Sequence, residues 1–238
     1  FKILYIRSRK TSPMTSPLQH LIDAEKKAAH LFEEIENRKI VSVGKTEKEL
    51  NDEVMEMAFE LFGIKKYWHK RIVRSGKNTL LPYKANPENL TIQADDILFF
   101  DFGPVFDEWE ADFGRTYVVG NDARKLKLKH DVEAVWHEGK DYFMANRETI
   151  TGAEFYTHTK ELAKKYGWEY GNEHCGHLIG NFPHEKIEGE KIVNYIHPDN
   201  ELVMNSNDSR GNRREWIYEV HLVDLELEIG GFFEQLMF

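Results

Sequence analysis

The sequence predicts an α+β fold built from two pseudo-equivalent αα-ββ halves. Three observations lead there. Each half opens with two stretches whose apolar residues recur at helical spacing. Each half closes with a pair of apolar runs carrying embedded acids, the signature of a hairpin. No linker or low-complexity tract separates the halves, so residues 1–238 are expected to form one domain, with both hairpins at its centre. The halves share no obvious sequence identity; the repeat is one of architecture.

In chain order, residues 1–6 are expected as a short strand, and residues up to 17 as a polar Ser/Thr/Pro extension. From Leu18 to about Arg38, the positions Leu21, Ala24, Ala28, Leu31, Phe32 and Ile35 form one apolar helix face. Thr46 followed by Glu49 is a capping box for a second helix, which runs to Phe62 and stops at Gly63. Residues 68–73 read as a strand. Residues 74–93 carry Gly, Pro and Asn signals and read as a long loop, which a compact domain usually keeps for function. The first hairpin follows at 97–120. Asn121 or Asp122 caps a third helix to about Asn146, with Leu126, Val132, Val135, Trp136 and Phe143 on its apolar side, and Thr151 caps a fourth that ends near Gly167. A Gly-rich stretch at 171–185, a polar loop at 204–214 and the second hairpin complete the chain.

The acids in the hairpins are the chemically informative residues. Asp101 follows Leu98, Phe99 and Phe100, and Asp112 lies in the returning run. A turn centred on Phe106 and Asp107 pairs 101 with 112, placing two carboxylates side by side. Like charges opposite one another are destabilising, and a bound cation is the simplest remedy. Glu219 interrupts Trp216, Ile217, Tyr218 and Val220, and Glu234 interrupts Phe232, Phe233 and Leu236. Two registers remain open there. A turn at Gly230-Gly231 has the stronger turn residues but separates the glutamates, whereas a turn around Glu226 and Leu227 pairs them. His177 lies in GHLIG and His184 in FPHE, among glycines that permit close backbone approach to a bound group. Four carboxylates and one imidazole form a hard donor set suited to manganese, iron or cobalt rather than to a thiolate zinc site. Two divalent ions, about 3.5–4 Å apart in two-metal hydrolytic sites, balance the four charges.

Composition narrows the class. Of 238 residues, 41% are hydrophobic and 31% charged, as in ordinary globular chains. A formal charge of −9 argues against a nucleic-acid partner. No apolar run approaches the ~20 residues of a membrane span. The single cysteine, Cys175, excludes an internal disulfide framework and makes cytoplasm the expectation. No secretory leader is visible, although the chain begins at Phe1 rather than Met.

These residues together resemble the creatinase/methionine aminopeptidase family of metallopeptidases, whose catalytic domain has the pita-bread fold with a central curved antiparallel sheet. The family orders its ligands Asp, Asp, His, Glu, Glu, matched here by Asp101, Asp112, His177, Glu219 and Glu234, with His184 at the place of a substrate-contacting histidine. The segment DFGRTYVVG resembles the Xaa-Pro peptidase branch. The resemblance implies a dinuclear metal-dependent peptidase acting near the N-terminus of short peptides, with a homodimer as an associated state. Asp101 is expected on one metal and His177 on the other, with Asp112 and Glu234 bridging. Glu219 is expected to hold metal and act as general base, and His184 to donate to the reacting amide. A pita-bread binding module and a creatinase-type C–N hydrolase are the alternative readings. The sequence departs from the family pattern in the loop before Asp101. There the family carries a histidine near Pro82 and Tyr83, whereas this chain has none between Lys70 and Phe100, and His69 stands too early to replace it without a large shift.

Overall fold

The computed structural model describes residues 16–183 and 192–238, so the strand expected at 1–6, and His184, lie outside the described residues. Helix α1 (Pro17–Asn37) starts at Ser16, whose Oγ accepts from Gln19 N at 3.2 Å, and buries the six apolar positions read from its periodicity. Helix α2 (Glu47–Phe62) carries both halves of the Thr46/Glu49 capping box and ends at Gly63, whose φ of 67° only glycine adopts readily. Strand β1 (Ile72–Ser75) begins later than expected. Residues 67–69 instead run beside the end of the next strand, with Tyr67 bridged to Pro104 and Trp68 N donating to Gly103 O. That strand, β2 (Ile97–Phe102), continues through a small ribbon of β3 (Val105–Phe106) and β4 (Trp109–Glu110) into β5 (Phe113–Val118).

The second half repeats this order. Asp122 caps α3 (Ala123–Asn146) and Thr151 caps α4 (Gly152–Tyr166) with another complete capping box. Leu126, expected on the apolar side of α3, is 42% exposed, and Leu128 is the buried leucine of that turn. Strands β6 (Glu169–Tyr170), β7 (Gly176–Ile179), β8 (Glu215–Asp224) and β9 (Ile229–Leu236) follow. Among the described residues, one antiparallel sheet runs β1-β2-β5-β9-β8-β6, with β7 also paired to β8. No helix among the described residues is long and apolar enough to cross a membrane.

The strands alternate. Leu98, Phe100 and Phe102 pack against α1 and α2, while Tyr218, Val220 and Leu222 pack against α3 and α4. The intervening residues, Asp101 and Glu219 among them, therefore look out of the opposite face. The two halves meet where β5 joins β9, through the single pair Gly114↔Glu234. Side chains complete that seam. Thr116 Oγ1 donates to Phe232 O and accepts from Phe232 N. The Arg115 guanidinium, held between Phe113 and Phe233 at 3.7 Å from each ring centroid, donates to Gly114 O, Glu234 O and Gln235 Oε1.

Two register questions are resolved. Asp101 pairs with Gly114, not with Asp112. Phe106 is 4% exposed and anchored against Phe62, so it cannot occupy the turn; the turn residues are Asp107 and Glu108, with φ of 50° and 70°. In the second hairpin Glu219 pairs directly with Glu234. Gly230 and Gly231 lie within the strand, because a Cβ on Gly230 would come 2.7 Å from His221 Nε2. Asp224 Oδ1 instead accepts from Glu226 N and Leu227 N to form the turn.

Candidate metal centre

The registers place Asp101, Gly114, Glu234 and Glu219 in one row across β2, β5, β9 and β8. Residues directly opposite one another share a face, so three carboxylates point the same way. Gly114 stands between Asp101 and Glu234; a Cβ there would come 2.6 Å from Phe232 and 3.1 Å from Glu234 Cβ. Extending the hairpin register puts Asp112 level with Gly103, two residues from Asp101. Asp112 is thus a diagonal neighbour on the same face, although it is not the partner expected from sequence.

His177 joins from β7, opposite Ile217, which shares the face of Glu219. Its Nε2 is 3.1 Å from Asp112 Oδ2 and 3.8 Å from Glu234 Oε1. Its Nδ1–H donates to Leu178 O at 2.8 Å. His69, weighed from the sequence only as a replacement for a loop histidine, also reaches the centre. The excursion of residues 67–69 along the end of β2 brings its Nε2 to 3.0 Å from Asp112 Oδ1 and 3.5 Å from Asp101 Oδ1. Trp68 sits between the two imidazoles, 4.4 Å from His69 and 5.1 Å from His177, with Nε1 donating to Ala111 O.

Asp112, Glu219 and Glu234 are between 2% and 6% exposed. Burial raises the Asp101 carboxyl to about 7, with His69 pulling it down and Asp112 and Glu219 pushing it up. Burial, then Asp112 and Asp101, push Glu234 well above the ordinary range. For Asp112 burial acts in the same upward direction, but His69 and His177 outweigh it and hold the carboxyl below its usual value. Burial alone would depress both imidazoles; Asp112 reverses this, raising each to about 9. Among the described residues, Asp101 Oδ1 and Glu234 Oε2 are buried carboxylate oxygens that accept no hydrogen bond. Glu219 Oε1 lies 2.8 Å from His174 Nδ1 without hydrogen-bond alignment. Buried acceptors left open in this way suit a cation. The carboxylate and imidazole donors converging on Asp112 form two clusters, His69/Asp101/Asp112 and Asp112/His177/Glu234.

Glu219 is positioned from behind. Asn172 Nδ2 lies 3.4 Å from Glu219 Oε2 and Asn172 Oδ1 3.1 Å from His221 Nδ1, while His221 Nε2 donates to Thr79 O at 2.8 Å. Burial pushes His221 down to about 4, against the hydrogen bond to Thr79 O, which acts upward. Tyr83, in the loop before β2, is 48% exposed and its hydroxyl accepts from Lys70 N. Trp109 stacks on His20 at 4.9 Å and bridges to Asn181, just before the segment that contains His184. The residue missed from sequence is His69. It follows α2 as His177 follows α4, and that parallel placement was the available signal.

Residues 19–209 match Metallopeptidase family M24. The chain is 28% identical over 146 residues to the Xaa-Pro dipeptidase of Pyrococcus horikoshii, covering 61% of this chain and 40% of that protein. It is 28% identical over 126 residues to the Xaa-Pro dipeptidase of Lactobacillus helveticus, covering 51% and 33%. It therefore spans less than half the length of these curated relatives. Among solved structures, a dipeptidase from Pyrococcus horikoshii OT3 superposes with TM-score 0.69 at 25% identity, covering 92% of this chain and 56% of that one. A methionine aminopeptidase from Thermotoga maritima superposes with TM-score 0.67 at 18% identity, covering 96% and 94%. With the family match extending over most of its residues, the chain belongs to Metallopeptidase family M24 and has that family's pita-bread fold.

Proposed function

We propose that this chain is a dinuclear-metal-dependent hydrolase that cleaves the N-terminal amide bond of short peptides, with Xaa-Pro dipeptides as the leading substrate class. The supporting observation is the convergence of Asp101, Asp112, His177, Glu219 and Glu234 on one sheet face, with buried oxygens of Asp101 and Glu234 accepting no hydrogen bond. This donor set fits two divalent ions, with manganese, cobalt or iron favoured by its oxygen-rich character. Asp101 would hold one ion, His177 the other, and Asp112 and Glu234 both. Bound divalent ions supply Lewis acidity and a nucleophilic water at neutral pH.

The chain's own residues supply the remainder. Glu219, 6% exposed and steadied by Asn172, takes the proton from the attacking water and returns it to the leaving amine. His184, carried by the segment after Pro183, donates to the reacting amide. Trp68 packs against both imidazoles, and Tyr83 stands 6.0 Å from the His69 ring. The buried lone thiol of Cys175 is compatible with work in a reducing, cytoplasmic compartment.

The test is an assay of manganese- or cobalt-loaded protein against Xaa-Pro, Met-Xaa and creatine-like substrates. Hydrolysis of Xaa-Pro peptides, reduced ~10²–10⁴-fold by Glu219→Gln, is expected. Metal binding without turnover on any member of the panel would overturn the hydrolase reading in favour of a binding module.

A further inference from the structure

We propose that His69 is a sixth protein ligand, binding through Nε2 the ion held by Asp101 and Asp112. The inference rests on the metal reading above and adds a residue outside the five ligands expected from the sequence pattern.

Two imidazoles in this site are supported in the same way. His177 Nδ1 donates to the carbonyl of the following residue, Leu178, at 2.8 Å; His69 Nδ1 donates to the carbonyl of its following residue, Lys70, at 2.8 Å. A backbone acceptor on Nδ1 fixes the tautomer that offers the Nε2 lone pair, the usual support for a metal-bound histidine. His177 Nε2 then faces Asp112 Oδ2 at 3.1 Å, and His69 Nε2 faces Asp112 Oδ1 at 3.0 Å. The two rings thus flank one carboxylate, each on its own oxygen. The ion pocket on the His69 side has a second wall, Asp101 Oδ1 at 3.5 Å, which is buried and accepts no hydrogen bond.

The architecture explains why a histidine can stand there. In each half, the segment after the second helix runs antiparallel beside the first strand of the hairpin. His177 does so beside β8, and the 67–69 segment beside the end of β2. Gly103 makes the approach possible: a Cβ would lie 2.2 Å from His69 Cδ2 and 2.4 Å from its Nε2. The side chain is 7% exposed, so the ring is enclosed in the centre rather than offered to solvent. One imidazole per ion makes the donor set more nitrogen-rich than a five-ligand site and moves metal preference towards iron and zinc relative to manganese.

The test uses the full chain, ¹⁵N-labelled at histidine, with Zn(II) as probe. Long-range ¹H–¹⁵N spectra, assigned through bonds in the unsubstituted protein, report which Nε2 atoms become metal-bound. The expected result is that Zn(II) shifts both His69 and His177 Nε2 while both Nδ1 atoms stay protonated. A shift of His177 alone overturns the proposal and leaves the metal reading intact; a shift of neither overturns both. Calorimetric titration of His69→Gln with Mn(II) is the second readout. One binding event is expected to weaken by more than the ~10–100-fold that loss of an outer-shell partner costs. Mn(II) affinities within that range, in a variant with unchanged circular dichroism, place His69 outside the coordination shell and refute the proposal.

Discussion

At the residue scale, the centre depends on what two glycines leave out. Gly114 lets Glu234 and Asp101 approach one another across β5, and Gly103 lets His69 and Trp68 lie over the end of β2. Gly103→Ala is therefore expected to displace the His69 ring, lower stability by ~1–3 kcal/mol and weaken divalent-ion binding. Denaturant midpoints and calorimetric titration measure the two effects; a variant with unchanged ion affinity would show that the ring is not held where the glycine allows. The acids themselves were legible from sequence because a charged residue inside an apolar run is conspicuous whatever its partner. His69 was not, since no local periodicity relates it to Asp112, 43 positions away.

At the scale of elements, the 81–86 part of the loop before the first hairpin is held largely by side chains. Arg74 is 3% exposed, and its guanidinium donates to the carbonyls of Leu81, Pro82, Tyr83 and Ala85. The Glu47 carboxylate, at the start of α2, accepts from Ser75 N, Asn78 Nδ2 and Leu90 N. Arg74→Met leaves those loop carbonyls without their donor. The expected loss is on the order of 2–3 kcal/mol, with faster amide exchange at 81–86 and unchanged protection in β8; equal protection of the loop in both proteins would contradict its anchoring by Arg74. Helix positions were readable because caps and periodicity act within three or four residues, as at Thr46 and Thr151. Strand register was harder: burial of Phe106 moved the first turn by one residue, and crowding at Gly230 kept the second away from the glycines.

For the whole molecule, two halves with separate cores share one acidic face. Ions that bind only the folded chain stabilise it by ~2.7 kcal/mol at a hundredfold excess over Kd. A chelator is expected to lower the Tm of manganese-loaded protein, and Asp112→Asn to abolish most of that difference; identical melting with and without chelator would argue against ion binding. Glu25, on α1, gives a pH signature. Burial raises its carboxyl to about 8, against which the Leu236 N–H and Arg115 act weakly in the opposite direction. The folded chain keeps this proton while the unfolded chain, near 4.5, releases it. Its stability contribution is thus fully present below about 4.5 and is lost as pH rises through about 8. Glu25→Gln is expected to be more stable than the parent at pH 8.5 by on the order of 1–3 kcal/mol and indistinguishable at pH 4.5, as read from urea midpoints. A gain independent of pH would assign the effect to something other than this carboxyl.

The sequence by itself determined the helices with their caps, the two-half architecture, and the order of Asp101, Asp112, His177, Glu219 and Glu234. Each of these is written in neighbours a few residues apart or in the cost of an acid among apolar residues. Only the tertiary structure decided that Glu219 faces Glu234, that Asp101 faces Gly114, and that His69 joins Asp112 from outside the hairpins. Those outcomes depend on contacts between strands and loops distant in the chain. They are settled by which side chains can be buried together and which glycines let them approach.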